Sequence, residues 1–143
     1  MKVKQISVFL ENKAGRLWEA CKILGDNDIN IRALSVAETA DFGIVRLIVQ
    51  NPDKAFEVLK NNGYSVSKTD VIAVEVPDTP GGLGEVLKPL NENGINVEYL
   101  YCFVDKDRNA AIDIMRIDDL DKAIDTLKSA GIKIIPEKEL YAI

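Results

Sequence analysis

Apolar positions in this chain alternate first with the period of a strand and then with that of a helix. The whole cycle is written twice. In residues 2–10, Ile6, Val8 and Leu10 fall on one side of a strand. After a polar segment, Leu17, Ala20, Cys21 and Leu24 follow the i, i+3, i+4, i+7 spacing of a helix with one buried face, and Asn27 stands where it should stop. Residues 29–37 and 44–49 read as a second and a third strand, joined into a hairpin by Thr39-Ala40-Asp41-Phe42-Gly43. Asn51-Pro52-Asp53 supplies a cap and a first-turn proline for a second helix, whose buried face is Ala55, Phe56 and Leu59 and whose end is Gly63. Residues 64–68 read as a fourth strand.

The same order then recurs. Ile72, Val74 and Val76 form the first strand; Leu83, Val86, Leu87 and Leu90 the helix stripe, ending near Gly94. Residues 95–104 and 110–117 are strands around the turn Asp105-Lys106-Asp107-Arg108-Asn109. Asp119 caps a helix with Ala123, Ile124 and Leu127 inside and Gly131 at its end, and residues 132–135 are a fourth strand. Gly15 to Gly81, Asn30 to Asn96 and Leu34 to Leu100 are each 66 positions apart, whereas Lys54 to Lys122 and Gly63 to Gly131 are 68 apart. The second copy therefore carries two extra residues, placed by these matches between the equivalents of Asp41 and Lys54. Only two copies fit, which excludes a long repeat array.

The order β-α-β-β-α-β, twice, predicts an α+β protein of two tandem ferredoxin-like βαββαβ domains, each an antiparallel sheet with two helices on one face. The expected domains are 1–69 and 70–143. Lys68-Thr69-Asp70 leaves almost no linker between them. Residues 139–143 align at spacing 68 with the strand around Val71–Glu75, so an extra C-terminal strand is expected there.

Composition narrows the function. Each copy is about seventy residues of the 143. A domain that small buries only about 60% of its unfolded surface, so shared or dimeric packing is expected. The net charge is −5 and no Lys/Arg stripe forms, which argues against a nucleic-acid partner. No apolar run is long enough to span a bilayer, and the N-terminal segment reads as a strand, not a leader, so a cytoplasmic protein is expected. There is no histidine, which removes serine-histidine and cysteine-histidine nucleophiles and histidine metal sites. Cys21 and Cys102 are isolated and read as buried free thiols. No cofactor is expected.

The chemistry that the residues offer lies at two polar loops, Asn12-Lys13-Ala14-Gly15-Arg16-Leu17 and Asp78-Thr79-Pro80-Gly81-Gly82-Leu83, each between a strand and a helix. Free N–H groups and the positive end of the helix dipole suit a carboxylate there, and glycine lets the backbone come close. Each loop also fits a plain structural turn. Asn30 and Asn96 open the second strands, where they are expected beside the glycine loops; an amide could read an ammonium and a carboxylate, or simply hold the turn.

These loops, with Ile29-Asn30-Ile31 and Ile95-Asn96-Val97, resemble the ACT domain, the second copy more closely because it has Pro80-Gly81-x-Leu83 where the first has Ala14. Order, spacing and repetition extend the likeness over essentially the whole chain, which is similar to stand-alone ACT-pair proteins distantly akin to the small regulatory subunit of acetolactate synthase. The resemblance implies regulatory, non-catalytic binding of an amino acid or related carboxylate at an interface between ACT domains, where the glycine loop of one meets the second-strand region of the other. It carries a ligand-binding role to Asn12, Lys13, Ala14, Gly15, Arg16, Leu17, Asn30 and Ile31, and to Asp78, Thr79, Pro80, Gly81, Gly82, Leu83, Asn96 and Val97. It also implies a homodimer and a metabolic enzyme as possible partner.

The copies differ where specificity could lie. Tyr99, Tyr101 and Phe103 share one side of a strand whose counterparts are Ala33, Ser35 and Ala37. They read as packing for a sheet or dimer contact on the face away from the helices, or as an aromatic wall for a ligand. Trp18 reads as packing, and Pro89 as a kink in its helix. Two other functions stay open: an interaction module without ligand, and an acylphosphatase-like enzyme using Arg16 and Asn30, whose loop lacks the expected phosphate cradle.

Overall fold

The computed structural model describes residues 1–39 and 41–142. The chain divides into two compact units, Lys4–Thr69 and Asp70–Ile143, the latter including Met1–Val3. They are called the first and second unit below.

The first unit contains β1 (Val3–Glu11), α1 (Arg16–Asp26), β2 (Ile31–Glu38), β3 (Phe42–Val49), α2 (Pro52–Asn61) and the start of β4 (Ser65–Pro77). β3 lies antiparallel to both β1 and β2, with Leu47 opposite Ile6 on one side and Leu34 on the other. The predicted alternation places Ile6, Val8 and Leu10 of β1 and Val45, Leu47 and Val49 of β3 on the helix side. There they pack with Ala20 and Leu24 of α1 and Ala55 and Leu59 of α2. Each such aliphatic side chain gains about 1.5–3 kcal/mol by leaving water.

The second unit repeats the plan with the rest of β4, α3 (Gly82–Glu92), β5 (Val97–Asp105), β6 (Ala110–Ile117), α4 (Leu120–Ser129), β7 (Ile134–Ile135) and α5 (Glu137–Tyr141). β6 pairs with β4 and β5, and β7 pairs with β4, giving the order β5-β6-β4-β7. Ile72, Val74, Val76, Val86, Leu90, Met115, Ile117, Ala123 and Leu127 make its core. α3 runs on through Pro89, whose carbonyl accepts from the backbone N–H and side-chain amide of Asn93.

The near-absent linker has a simple structural form. β4 is one uninterrupted strand of 13 residues, whose first part belongs to one unit and whose remainder begins the next. The two extra residues of the second copy lengthen its hairpin. Val36 pairs with Val45 and Cys102 with Asp113, so the offset changes from 66 to 68 across the turn; β5 has nine residues against eight in β2, while β6 and β3 both have eight. Ala40, in the shorter turn, lies outside the described residues.

Three expectations are corrected. The segment expected as a strand at 139–143 is helical through Tyr141, in α5; Ile143 lies outside the described residues. Pro136 ends β7, and Glu137-Lys138-Glu139-Leu140 are good helix formers that turn Leu140 fully inward. Trp18 does not pack: it is 67% exposed, because it falls between Leu17 and Ala20 on the outer side of the stripe. Cys21 is only half-buried and Cys102 is exposed, since β5 ends the strand order and has no outer neighbour. By contrast, Tyr99, Tyr101 and Phe103 are packed, as the reading of this row as a packing face expects. They sit opposite Arg116, Ile114 and Ile112 and are half-buried, and Ile112 and Ile114 are fully buried. No helix among the described residues is long and apolar enough to cross a membrane.

Both second helices are capped as the sequence predicts: Asn51 and Asp119 side chains accept the N–H of Lys54 and Lys122. Replacing either by alanine should cost about 1 kcal/mol in urea unfolding. Asp113 is a second test. It is 3% exposed and occupies the position of Val45, and burial raises its pKa, only partly offset by the Cys102 thiol. A carboxyl with a raised folded-state pKa opposes folding wherever the unfolded chain ionises, and the opposition disappears as pH falls below the ordinary carboxyl value of about 4. Asp113→Asn should therefore raise Tm at pH 7, with a gain that shrinks toward pH 3.5.

Candidate functional site

Each glycine loop turns its strand into its helix in the same way. Gly15 (φ 88°) and Gly81 (φ 83°) are the N-caps of α1 and α3, both left-handed, and neither helix start is capped by a side chain. The Gly15 carbonyl accepts from Glu19 N–H and the Gly81 carbonyl from Glu85 N–H, at 2.9 and 3.0 Å. The first-turn N–H groups of a helix have no partner inside it, so these ends retain donors for an anion. The second loop is tighter. A Cβ on Gly82 would stand 2.2 Å from the Pro77 carbonyl oxygen, so only glycine fits. The first copy has Arg16 at that position.

The predicted residues divide by environment. Asn12, Lys13, Ala14, Gly15, Leu17 and Asn30 are exposed, as are Asp78, Thr79, Pro80, Gly81 and Asn96. Arg16 is half-buried and bridges Glu11 and Glu19, each at 3.6 Å. Lys13, bonded to the Glu11 carboxylate, holds its pKa below the ordinary value, with Arg16 adding to the effect. Ile31, Leu83 and Val97 pack against the cores, and Gly82 is buried.

Within a unit the structure does not bring the asparagines to the glycine loops. The helix between β1 and β2 returns the chain to the opposite end of the sheet, about 16 Å away for 11 residues at 1.5 Å each. Loop one instead touches the hairpin turn: Asn12 donates from its N–H to Asp41 O and from its side chain to Thr39 O. Asn30 precedes Ile31, which pairs with Val49 at the far end. Just after each asparagine, the strand is bulged at the same repeated place, between Ile31 and Ala33 and between Val97 and Tyr99.

A repeated concavity that was not anticipated lies beside the loops. In the first unit a groove of about 570 Å³ runs between the end of β1, the start of α1 and the junction of α2 with β4. In the second a groove of about 680 Å³ occupies the corresponding place. Their linings match position by position: Phe9 with Glu75, Glu11 with Pro77, Glu19 with Glu85, Phe42 with Ala110, Asn62 with Ala130, Gly63 with Gly131, Tyr64 with Ile132 and Ser65 with Lys133. The chemistry is not repeated. The first groove has three aromatic walls, and the Tyr64 hydroxyl is buried, lies near Glu19 and makes no hydrogen bond of ordinary length. Burial, then Glu19, raises its pKa. The second groove is laced by ion pairs. Lys133 reaches Glu75 at 3.8 Å and Glu139 of α5 at 3.4 Å, while Arg108 binds Asp105 at 2.8 Å and Glu139. Arg108 holds the Glu139 carboxyl below its ordinary pKa. The signal was present in the sequence as Phe9, Phe42 and Tyr64 set against Glu75, Ala110 and Ile132.

Gly82→Ala should destabilise the second unit by about 1–3 kcal/mol through overpacking against Pro77. Gly81→Ala, which meets open space but a left-handed backbone, should cost about 1–2 kcal/mol. Urea unfolding of the two variants measures both.

The whole molecule has known relatives. No curated protein matches the chain at a significant level. Protein BT0572 from Bacteroides thetaiotaomicron is 43% identical, superposes with a TM-score of 0.94, and is matched over 98% of its length by all of this chain. The ligand-free regulatory subunit of aspartate kinase from Thermus thermophilus is 15% identical, with a TM-score of 0.64 over 89% of this chain and 91% of that one. Aspartate kinase of Clostridium acetobutylicum shares the fold at 13% identity and a TM-score of 0.55, over 90% of this chain and 33% of that one. The ACT domain pair profile matches residues 1–143. The glycine-loop motifs, the doubled βαββαβ topology and this full-length match agree: the chain belongs to the ACT domain pair family.

Proposed function

We propose that this ACT domain pair is a non-catalytic regulatory protein. It binds an amino acid or related small carboxylate at an interface between ACT domains, as a cytoplasmic homodimer. Occupancy changes its assembly or the activity of a partner metabolic enzyme. The observation that carries this reading is the repeated helix start, left-handed at glycine and uncapped by any side chain, in both units. That the Thermus thermophilus protein of like fold is a regulatory subunit agrees with it.

Several features favour binding over catalysis. The chain has no histidine, and although Cys102 is an exposed residue, partial desolvation of its thiol and then the Asp113 carboxylate raise its pKa, which leaves a poor nucleophile. Among the described residues no group of three or more His, Cys, Asp or Glu is placed to hold a metal. An interface also explains the asparagines. Asn30 and Asn96 lie far from the loop of their own unit, so they reach a glycine loop only when another domain presents one.

A second reading, a dimerisation module without ligand, is favoured by one observation. Leu34 and Val36, on β2 at the end of the strand order, are 41% and 48% exposed. Calorimetry and light scattering against an amino-acid panel separate the two. The regulatory reading expects saturable binding of at least one amino acid, a change in assembly or in Trp18 fluorescence, and at least tenfold weaker binding in Gly81→Ala. A stable dimer that is silent to the whole panel would favour the scaffold instead.

A further inference from the structure

The paired grooves carry an inference that goes beyond the regulatory reading, because each groove lies inside one unit and does not depend on an interface. The cations of the second groove are already paired by the chain itself. Arg108 and Lys133 line the groove, and the Glu139 carboxylate of α5 binds both. The molecule thus shows a carboxylate seated on the cations of one groove. The first groove has no equivalent tail. Its cation is Arg16, whose two ion pairs are both 3.6 Å long, beyond the 2.7–2.9 Å of a committed charge-assisted hydrogen bond. Its walls are left partly wet: Phe9 is 47% and Phe42 56% exposed.

We propose that the groove of the first unit binds an aromatic α-amino acid. The ring lies on Phe9 and Phe42 with Tyr64 at its edge. The carboxylate lies on Arg16, and the ammonium on Glu11 and Glu19. Each part of the ligand answers a feature of the lining. A planar ring covers exposed aromatic area that no side chain of this unit covers. A carboxylate takes a guanidinium that presents a planar donor fork. A bare aromatic acid would meet two carboxylates beside that guanidinium, whereas an ammonium gives Glu19, held only by the 3.6 Å pair to Arg16, a closer partner and adds to the Lys13 pair of Glu11. Short amino acids satisfy the charges and leave the rings wet. The second groove, with Glu75, Ala110 and Ile132 at the aromatic positions, lacks this combination.

Calorimetry on the full chain tests the assignment with L-phenylalanine, phenylacetate and L-alanine as probes. The expected result is saturable binding of L-phenylalanine, at least tenfold tighter than either other probe. Phe42→Ala and Arg16→Gln should each weaken it at least tenfold, while Arg108→Gln, in the other groove, leaves it unchanged. Circular-dichroism melting checks that the variants fold, and Phe42→Leu carries the test if Phe42→Ala does not. The proposal is overturned if L-phenylalanine does not bind, if Phe42 variants bind it as the parent does, or if Arg108→Gln abolishes binding. L-Alanine binding as tightly as L-phenylalanine, and lost in Gly81→Ala, would sustain the glycine-loop reading and sink this one.

Discussion

Each unit is organised by one constraint, the burial of a single sheet face under two helices. The strand alternation and the helix stripes must meet in phase. A slip of one residue in β1 would turn Ile6, Val8 and Leu10 away from Ala20, Leu24, Ala55 and Leu59 and replace them with Ser7 and Phe9. The same packing decides which groups gather at which end. A helix that covers the sheet must run back along it, so β1 and β2 are parallel and begin at the same end. Glycine loops and hairpin turns therefore collect at one end of a unit. Asn30, Asn96 and the caps Asn51 and Asp119 collect at the other.

Much of this was legible in the chain before any coordinates. The apolar periods locate β1, α1, β3 and α2 and their counterparts, because in a two-layer fold local pattern and burial coincide. The Asn51 and Asp119 caps and the loop glycines were legible for the same reason: their roles are local. What failed was nonlocal. Residues 139–143 align with a strand in the first-strand register, yet Pro136 and the helix-forming Glu137, Lys138 and Glu139 decide the conformation through Tyr141. Cys102 follows the inward alternation, but it lies in the outermost strand, where inward does not mean covered. The separation of Asn30 from Gly15 follows from the parallel crossover, which spacing along the sequence does not display.

The two copies keep one backbone and exchange its side chains. Asp113 stands where Val45 packs, Gly82 where Arg16 reaches outward, and Lys133 where Ser65 lines an aromatic groove. Each exchange is local, because the buried stripes that maintain the fold are shared. The substitutions cluster at the end bearing the glycine loops. Duplication supplied two equivalent concavities, and the tail beyond β7 then occupied the cations of one of them through Glu139.

The bulges in β2 and β5 bear on a different problem, the danger of an unfinished sheet. A terminal strand offers its outer N–H and C=O groups to any other extended chain. In both edge strands the ladder is interrupted near its start, and the residue at the interruption is charged: Arg32 in β2 and Glu98 in β5. An incoming strand cannot run in register past a bulge, and an apolar one would have to bury an ion. A feature that looks like an irregularity of pairing thus shortens the stretch of either edge along which an added strand could pair in register.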